Sequence, residues 1–161
     1  KFVANAKNIG FAGGHNQALH WTKSEFVLLM NQDIVMAPDY LKFLVEFLEK
    51  ISDCAAATGK LLRWNFKPDE YKRESLTSQI IKLNSKNKII DSAGLKIFKK
   101  HQVAEIGAGQ LDNNHKETAQ PVFGVSGALP MYRRSALEAV KTEYRKNNKI
   151  YSEYFDNDFL K

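Results

Sequence analysis

Apolar residues in the first half of the chain follow a pattern that predicts a strand, a helix and a second strand. Residues 25–30 form a mainly apolar run, long enough for a buried strand and too short for a helix. The segment CAAATGKLL (54–62) predicts another strand. This order is typical of α/β sheets and favours parallel pairing. Between the two strands, Pro38 suits a first helical turn, and apolar residues then recur at helical spacing: Leu41, Leu44, Val45 and Leu48.

The second half predicts short strands and a further helix. Residues 65–74 mix charges with aromatics and predict a surface loop, whereas QIIKLNSKNKII (79–90) and DSAGLKIFKK (91–100) predict strands separated by polar turns. Ser135 and Glu138 match a capping box, which predicts that a helix begins there. The fold class is therefore α/β and Rossmann-like: a mainly parallel sheet flanked by helices, with a small antiparallel hairpin region in the second half.

Composition places the chain among globular proteins with one core. Its 161 residues are 43% hydrophobic and 26% charged, and they contain neither an eighteen-residue apolar run nor a basic-then-apolar leader. The cytoplasm is the simplest compartment to expect. The single cysteine, Cys54, lies in the segment SDCAAATG and is expected to be a small core residue, not a nucleophile.

The net charge of +6 indicates affinity for an anionic partner, without choosing among nucleic acid, a membrane surface and a phosphorylated small molecule. The lysines are scattered, as on a solvated surface, and no nucleic-acid-binding signature accompanies them. We therefore expect no nucleic-acid partner, whereas peripheral membrane association stays open.

The stretch NIGFAGGHNQAL (8–19) is a glycine-rich turn that runs into a predicted helix. Gly10, Gly13 and Gly14 allow positive φ and close backbone approach, and the helix start offers unpaired amides to a phosphate. The spacing matches neither the dinucleotide fingerprint nor a P-loop. A phosphate cradle and a purely structural bend therefore both remain open from the glycines alone, and His15 is expected to be an exposed neighbour of the turn.

Polar residues follow directly where the first apolar strand stops. Ligands of open α/β sheets gather beyond the carboxyl ends of strands, and the Asp33 carboxylate at such a position is suited to a divalent cation. Asn31 points to the same side if the strand continues. The alternative is that Asn31, Gln32 and Asp33 form only a polar turn.

Three blocks of the sequence resemble successive blocks of the inverting family 2 glycosyltransferases, in particular the rhamnosyltransferase-like branch. The blocks are NAKNIGFAGGHNQAL, FVLLMNQDIVMAPDYL and VFGVSGALPMYRRSALEAV, and their order and spacing match as well. The resemblance implies a GT-A fold, a nucleotide-sugar donor and a divalent metal, Mg²⁺ or Mn²⁺, held by a DxD-type motif. It also implies transfer, with inversion, onto a glycan or lipid-linked glycan in bacterial cell-surface polysaccharide synthesis, at the inner face of the membrane.

Carried over by position, the resemblance assigns roles to individual residues. It implies that Asn8, Gly13 and Gly14 lie by the nucleotide. Asp33 would be the metal-binding acid, and Asn31 stands where many relatives have the first acid of the motif. The same resemblance puts Gly127 and Ala128 beside the donor sugar and acceptor. For Arg133 and Arg134 it leaves open a place near this site or a solvated helix start.

The resemblance also concerns domain organisation and the ends of the chain. It implies one glycosyltransferase domain over 1–161, with a nucleotide-sugar-binding half (1–64) and an acceptor-side half (65–161). Relatives begin with a further strand, whose absence predicts self-association through an open sheet edge. They also carry the catalytic base beyond the position of Lys161, so neither Asp156 nor Asp158 is assigned that role. The alternative is a truncated or inactive GT-A module that only binds nucleotide sugar or a partner.

Overall fold

A computed structural model of the protein describes residues 2–63, 89–113, 118–146 and 149–156. The loop predicted over 65–74, most of the strand predicted over 79–90, and Asp158 lie outside the described residues. The chain divides into two compact units, one formed by residues 1–57 with 131–161 and the other by residues 58–130. The functional division predicted at residue 64 stays a prediction.

The first unit contains helices on both sides of a small sheet. Its helices are α1 (Gly10–Leu19), α2 (Tyr40–Lys50) and α3 (Arg134–Ala139). Its strands are β1 (Phe26–Leu28), β2 (Ala56–Ala57), β7 (Met131–Arg133), β8 (Thr142–Lys146) and β9 (Lys149–Glu153). The second unit contains β3 (Leu61–Leu62), β4 (Ile90–Ser92), β5 (Leu95–Ile97) and β6 (Val103–Glu105).

The central sheet of the first unit has the strand order β1-β7-β2, and β7 is antiparallel to both neighbours. Tyr132 lies opposite Val27 on one side and Ala56 on the other. The prediction of parallel pairing was wrong, because every strand pair in the described ranges is antiparallel. Strands β1 and β2 do run in the same direction, as the strand–helix–strand order predicts, but β7 fills the place between them.

Alternate residues of this sheet face opposite sides, and each side has its own core. Helix α2 packs on one face, where Leu48 is fully buried and adds roughly 1.5–3 kcal/mol of transfer free energy. The other face is covered by α1 and α3, which contribute Leu19 and Leu137. The α2-side cluster consists of Leu44, Leu48, Ala57 and Met131, and the opposite cluster of Leu19, Val27, Leu29 and Leu137.

Two of the predicted helices are confirmed, although their starts differ from the prediction. Helix α2 begins at Tyr40, so Pro38 lies before the first turn and not in it. Helix α3 begins at Arg134, with Arg133 as its N-cap residue. The predicted capping box at Ser135 was therefore wrong: Ser135 lies inside the first turn because β7 leads directly into the helix.

The segment 54–62 does not form one strand, as predicted, but two. Strand β2 pairs with β7 in the first unit, whereas β3 pairs with β4 in the second. The two halves of the apolar run therefore satisfy their backbone bonds with different partners. In the second unit, β4 and β5 are joined through Gly94, where the φ of +105° and the 2.9 Å that would separate an added Cβ from Val122 Cγ1 explain why glycine stands there.

Candidate functional site

The glycine-rich segment forms the start of helix α1 and differs in detail from the predicted turn. Gly10 has a φ of +75° and is the first helical residue, while Gly13 and Gly14 lie within the helix. The interpretation of Gly13 and Gly14 as turn glycines was therefore wrong, because the change of direction is made at Gly10. The Asn8 side chain accepts a hydrogen bond from the Gly10 N–H at 2.8 Å, which gives it a structural role at the helix start.

The position of each glycine in the helix decides whether its N–H group has a hydrogen-bond partner inside the helix. The N-cap residue of α1 is Ile9, so the N–H groups without a partner inside the helix are those of residues 9–12, and the Gly13 N–H bonds to the Ile9 carbonyl. The Gly14 N–H, by the same rule, bonds to the Gly10 carbonyl. Gly13 therefore offers no unpaired amide to an anion, whereas Gly14 offers space: an added Cβ would meet no atom of the described residues within 4 Å. The donor-binding roles of Asn8, Gly13 and Gly14 stay predictions.

Asn31 and Asp33 lie in a turn that follows β1, not in a continued strand. Strand β1 ends at Leu28, and the Ile34 N–H donates to the Asn31 carbonyl at 3.3 Å. The condition under which strand alternation would place Asn31 and Asp33 on one side, a continued strand, is therefore not met. Asn31 is half-buried and Asp33 is exposed, so a polar turn does carry the Asp33 carboxylate to solvent at the end of a buried strand.

The residues of this turn fit a magnesium or manganese ion that takes only part of its ligands from the protein. Among the residues that the structure describes, no group of three or more His, Cys, Asp and Glu side chains surrounds a point where a metal would bind. Mg²⁺ is commonly held by one or two carboxylates together with phosphates and water. The Asp33 carboxylate and the Asn31 side-chain oxygen are ligands of that type.

Gly127 and Ala128, the predicted acceptor-side residues, belong to the second unit. Gly127 is exposed and Ala128 is half-buried, and they precede the buried pair Leu129 and Pro130, which leads into β7. The role of Gly127 and Ala128 stays a prediction.

Both arginines at the junction of β7 and α3 have structural partners. The guanidinium of Arg133 donates to the carbonyl oxygens of Cys54 and Ile51, each at 3.1 Å, and to that of Leu48. It thereby caps the C-terminal end of α2, where the carbonyl groups lack partners inside the helix. Arg134 donates to the Ser24 carbonyl at 2.6 Å. The alternative that these arginines form a solvated helix start does not hold, because their side chains are only 14% and 16% exposed.

Asn16 is a residue that sequence reasoning missed. Its side chain is buried, and its Oδ1 accepts hydrogen bonds from the N–H groups of Tyr154 (3.0 Å) and Phe155 (2.9 Å). Its Nδ2 donates to the Phe155 carbonyl at 2.7 Å. A signal was present in the sequence: Asn16 is a polar residue on the buried face that Ala12 and Leu19 also occupy. A buried amide of this kind needs partners, but the sequence does not say which.

Aromatic contacts reinforce the attachment of this C-terminal segment. The Phe155 ring lies 6.1 Å from His15 and 6.0 Å from Tyr132, both edge-on. Tyr154 donates its hydroxyl hydrogen to Glu138 of α3 at 2.7 Å, and this bond, aided by Lys141, lowers the pKa of Glu138 below its ordinary value. His15 is half-buried, so the expectation that it is an exposed neighbour of the turn was wrong.

A shallow groove of about 360 Å³ runs along the same side of α1 and is bordered by β9. Gly13 and Asn16 line it together with Trp21 and Tyr151. The predicted donor-side residue Gly13 therefore lines the same groove as Asn16, which binds the C-terminal segment.

Comparison with known proteins identifies the family. The family model described as glycosyl transferase family 2 matches residues 1–141, which include α1, the turn at Asp33 and α3. No curated protein and no solved structure matched the chain. Within the described residues, no helix is long and apolar enough to cross a membrane. Because the family model covers most of the chain, the protein belongs to glycosyl transferase family 2.

Proposed function

We propose that this protein transfers a sugar from a nucleoside-diphosphate sugar to a glycan or lipid-linked glycan, with inversion at the anomeric carbon. The family supports glycosyltransferase activity in general and implies the GT-A α/β fold. The observation that carries the proposal to a metal-assisted donor site is the exposed Asp33 carboxylate in the turn that follows strand β1. Rhamnose as the sugar and bacterial cell-surface polysaccharide as the product rest on the resemblance of the three sequence blocks.

Asp33 and Asn31 would hold the divalent ion, which when bound stabilises charge on the leaving diphosphate. The unpaired amides at the start of α1, such as that of the exposed Phe11, would donate to the same phosphates, assisted by the positive end of the helix dipole. The hydrogen bond from the Gly10 N–H to the Asn8 side chain orients that turn. These groups act on the leaving group and leave deprotonation of the acceptor to a separate base.

The base removes the proton from the acceptor hydroxyl as its oxygen attacks the anomeric carbon, and the bond from that carbon to the diphosphate breaks. General base catalysis of this kind contributes about 10²- to 10⁴-fold. In agreement with the resemblance, the base is not assigned to Asp156 or Asp158. Its loss is therefore expected to reduce turnover more than donor affinity.

Calorimetric titration of UDP and dTDP, with and without Mn²⁺, tests the donor site. We expect Mn²⁺ to strengthen binding, and Asp33→Ala to remove at least about tenfold of that gain, which is 1.4 kcal/mol. Asp33→Asn retains an oxygen ligand without charge and should fall between the two. Asp53→Ala removes an equally exposed acid from the turn after α2 and serves as the matched control.

Equal Mn²⁺-dependent affinity in the parent protein and in Asp33→Ala, with unchanged circular dichroism, would refute the metal role of Asp33. Transfer itself is tested separately, by product formation from a panel of nucleotide sugars with glycan acceptors. Nucleotide binding without transfer would identify the protein as a binding module instead.

A further inference from the structure

We propose that the tip of the β5–β6 hairpin, residues 96–103, docks the protein on an anionic membrane surface. This hairpin tip belongs to the second unit, and its docking goes beyond the proposed transfer reaction. Every residue of the tip is exposed, and none is acidic. Its basic residues are Lys96, Lys99 and Lys100, and its large apolar residues are Ile97, Phe98 and Val103.

The base of the hairpin is tied to the rest of the second unit. The Leu95 N–H donates to the Gly124 carbonyl at 2.8 Å, and the Phe123 N–H donates to the Leu95 carbonyl at 3.0 Å. On the other strand, the Glu105 carboxylate accepts a hydrogen bond from the hydroxyl of the buried Ser92. Leu95 and Glu105 lie opposite each other and are half-buried, so the hairpin projects into solvent beyond this pair.

The turn at the end of the hairpin carries two of the lysines. The His101 N–H donates to the Phe98 carbonyl at 2.9 Å, and the Phe98 N–H donates to the Gln102 carbonyl at 2.8 Å. His101 has a φ of +57°, which is typical of the last residue of a three-residue hairpin loop. Lys99 and Lys100 therefore occupy the two central positions of the turn, at the point of the hairpin farthest from its base.

Large apolar side chains accompany these cations at the tip. Ile97 and Val103 lie opposite each other across the hairpin, and their exposed fractions are 44% and 50%. Phe98, the next residue, is 47% exposed. A single exposed apolar residue is common on a soluble protein, whereas several apolar residues together at one exposed place indicate a binding surface.

The arrangement of these side chains favours lipid over nucleic acid. The Lys96 Nζ lies 5.1 Å from the centre of the Phe98 ring, so one face of the ring already contacts a cation and is not available for stacking on a base. The aliphatic pair Ile97 and Val103 has no matching group on a nucleic acid either.

A lipid surface matches both kinds of side chain at the tip. Apolar side chains enter the boundary between headgroups and acyl chains, while lysine stems lie along them and extend the ammonium groups toward the phosphates. Anionic lipids attract such lysines most strongly, because their headgroups give the membrane surface a negative potential. The partner that complements this hairpin tip is therefore an anionic bilayer.

Two variants of the full chain separate the contribution of the charges from that of the ring. Lys99→Gln combined with Lys100→Gln removes two charges from the turn, and Phe98→Ala removes the aromatic side chain. The matched controls make the same changes at exposed positions of helix α2: Lys42→Gln combined with Lys50→Gln, and Phe43→Ala.

Sedimentation with phosphatidylcholine vesicles, with and without phosphatidylserine, measures how strongly each protein partitions onto the membrane. We expect the parent to bind the phosphatidylserine vesicles at least about tenfold more tightly than the neutral ones, and this binding to weaken as salt is added. The double lysine variant should lose about 10- to 30-fold on the phosphatidylserine vesicles. Phe98→Ala should lose about 3- to 10-fold, and both controls should stay within about twofold of the parent.

A tryptophan at the tip tests whether the hairpin itself enters the lipid. Brominated lipids quench a fluorophore only at close range, so we expect them to quench Phe98→Trp more strongly than Phe43→Trp when each is compared with the parent. Equal quenching of the two variants would overturn the docking of the hairpin tip.

Two further results would overturn the proposal. One is a parent protein that does not bind phosphatidylserine vesicles, or binds them no more tightly than the double lysine variant does at matched circular dichroism. The other is binding of a single-stranded oligonucleotide without vesicle binding, lost in the double lysine variant, which would assign the tip to nucleic acid. No nucleotide sugar enters these measurements, so either result leaves the proposed transfer reaction untouched.

Discussion

Removal of the Arg133 side chain should destabilise the first unit substantially, although the residue lies in the segment that the family resemblance associates with the active site. Three carbonyl oxygens, of Leu48, Ile51 and Cys54, accept hydrogen bonds from its guanidinium. Each intramolecular hydrogen bond contributes about 1 kcal/mol net, and more when a partner is charged, so we expect Arg133→Ala to cost about 3 kcal/mol. The contact to Glu25 adds little, because that carboxylate is 73% exposed.

A loss of this size is large against a total stability of about 5–15 kcal/mol. For a chain of 150–250 residues it corresponds to a fall in Tm of about 6–12 °C. Arg133→Lys should lose roughly half as much, because an ammonium group cannot reach three carbonyls with the planar fork of a guanidinium. Lys42→Ala, which removes an exposed pair with Glu46 on the same helix, is the control and should change stability by less than about 0.5 kcal/mol.

Urea denaturation followed by circular dichroism and tryptophan fluorescence measures these differences, and nucleotide affinity is measured on the folded proteins in parallel. The expected outcome is reduced stability with unchanged nucleotide affinity. It would be refuted by an Arg133→Ala protein that is within 0.5 kcal/mol of the parent, and a folded variant with weakened nucleotide binding would place Arg133 in the donor site instead.

Further predictions concern the glycines of α1 and the Tyr154 hydroxyl. Gly14→Ala should stabilise the protein by about 0.5–1 kcal/mol, since the position is helical and has room for a side chain. Gly10→Ala should destabilise it by a similar amount, because Gly10 has a positive φ. Urea midpoints that move in the opposite directions would contradict these two predictions. If Gly14→Ala also weakens UDP binding, a ligand approaches there. Because the pKa of Glu138 is lowered in the folded protein, its carboxylate stabilises the fold at pH values above the ordinary carboxyl pKa. This stabilisation is lost as the pH falls through the folded-state pKa of Glu138. Tyr154→Phe should raise that pKa in a carboxyl NMR titration, and an unchanged titration would exclude the hydroxyl as its cause.

Local patterns in the sequence were sufficient where an element depends on its own residues. The apolar spacing at Leu44 and Leu48 identified α2, since both are buried against the sheet, and the short apolar run identified β1. The family was recognisable because three blocks with fixed spacing lie within the 141 residues that the family model matches. These signals depend on residues close together in the chain.

Tertiary structure decided every feature that depends on a distant partner. The neighbour of β1 is β7, about a hundred residues later, because the gap between β1 and β2 accepts one further strand and periodicity carries no information about which. The Arg133 guanidinium caps a helix from another element, and the Asn16 amide binds a segment 139 residues away. A sequence shows that a buried amide or guanidinium needs partners, but only the folded chain brings those partners within hydrogen-bonding distance.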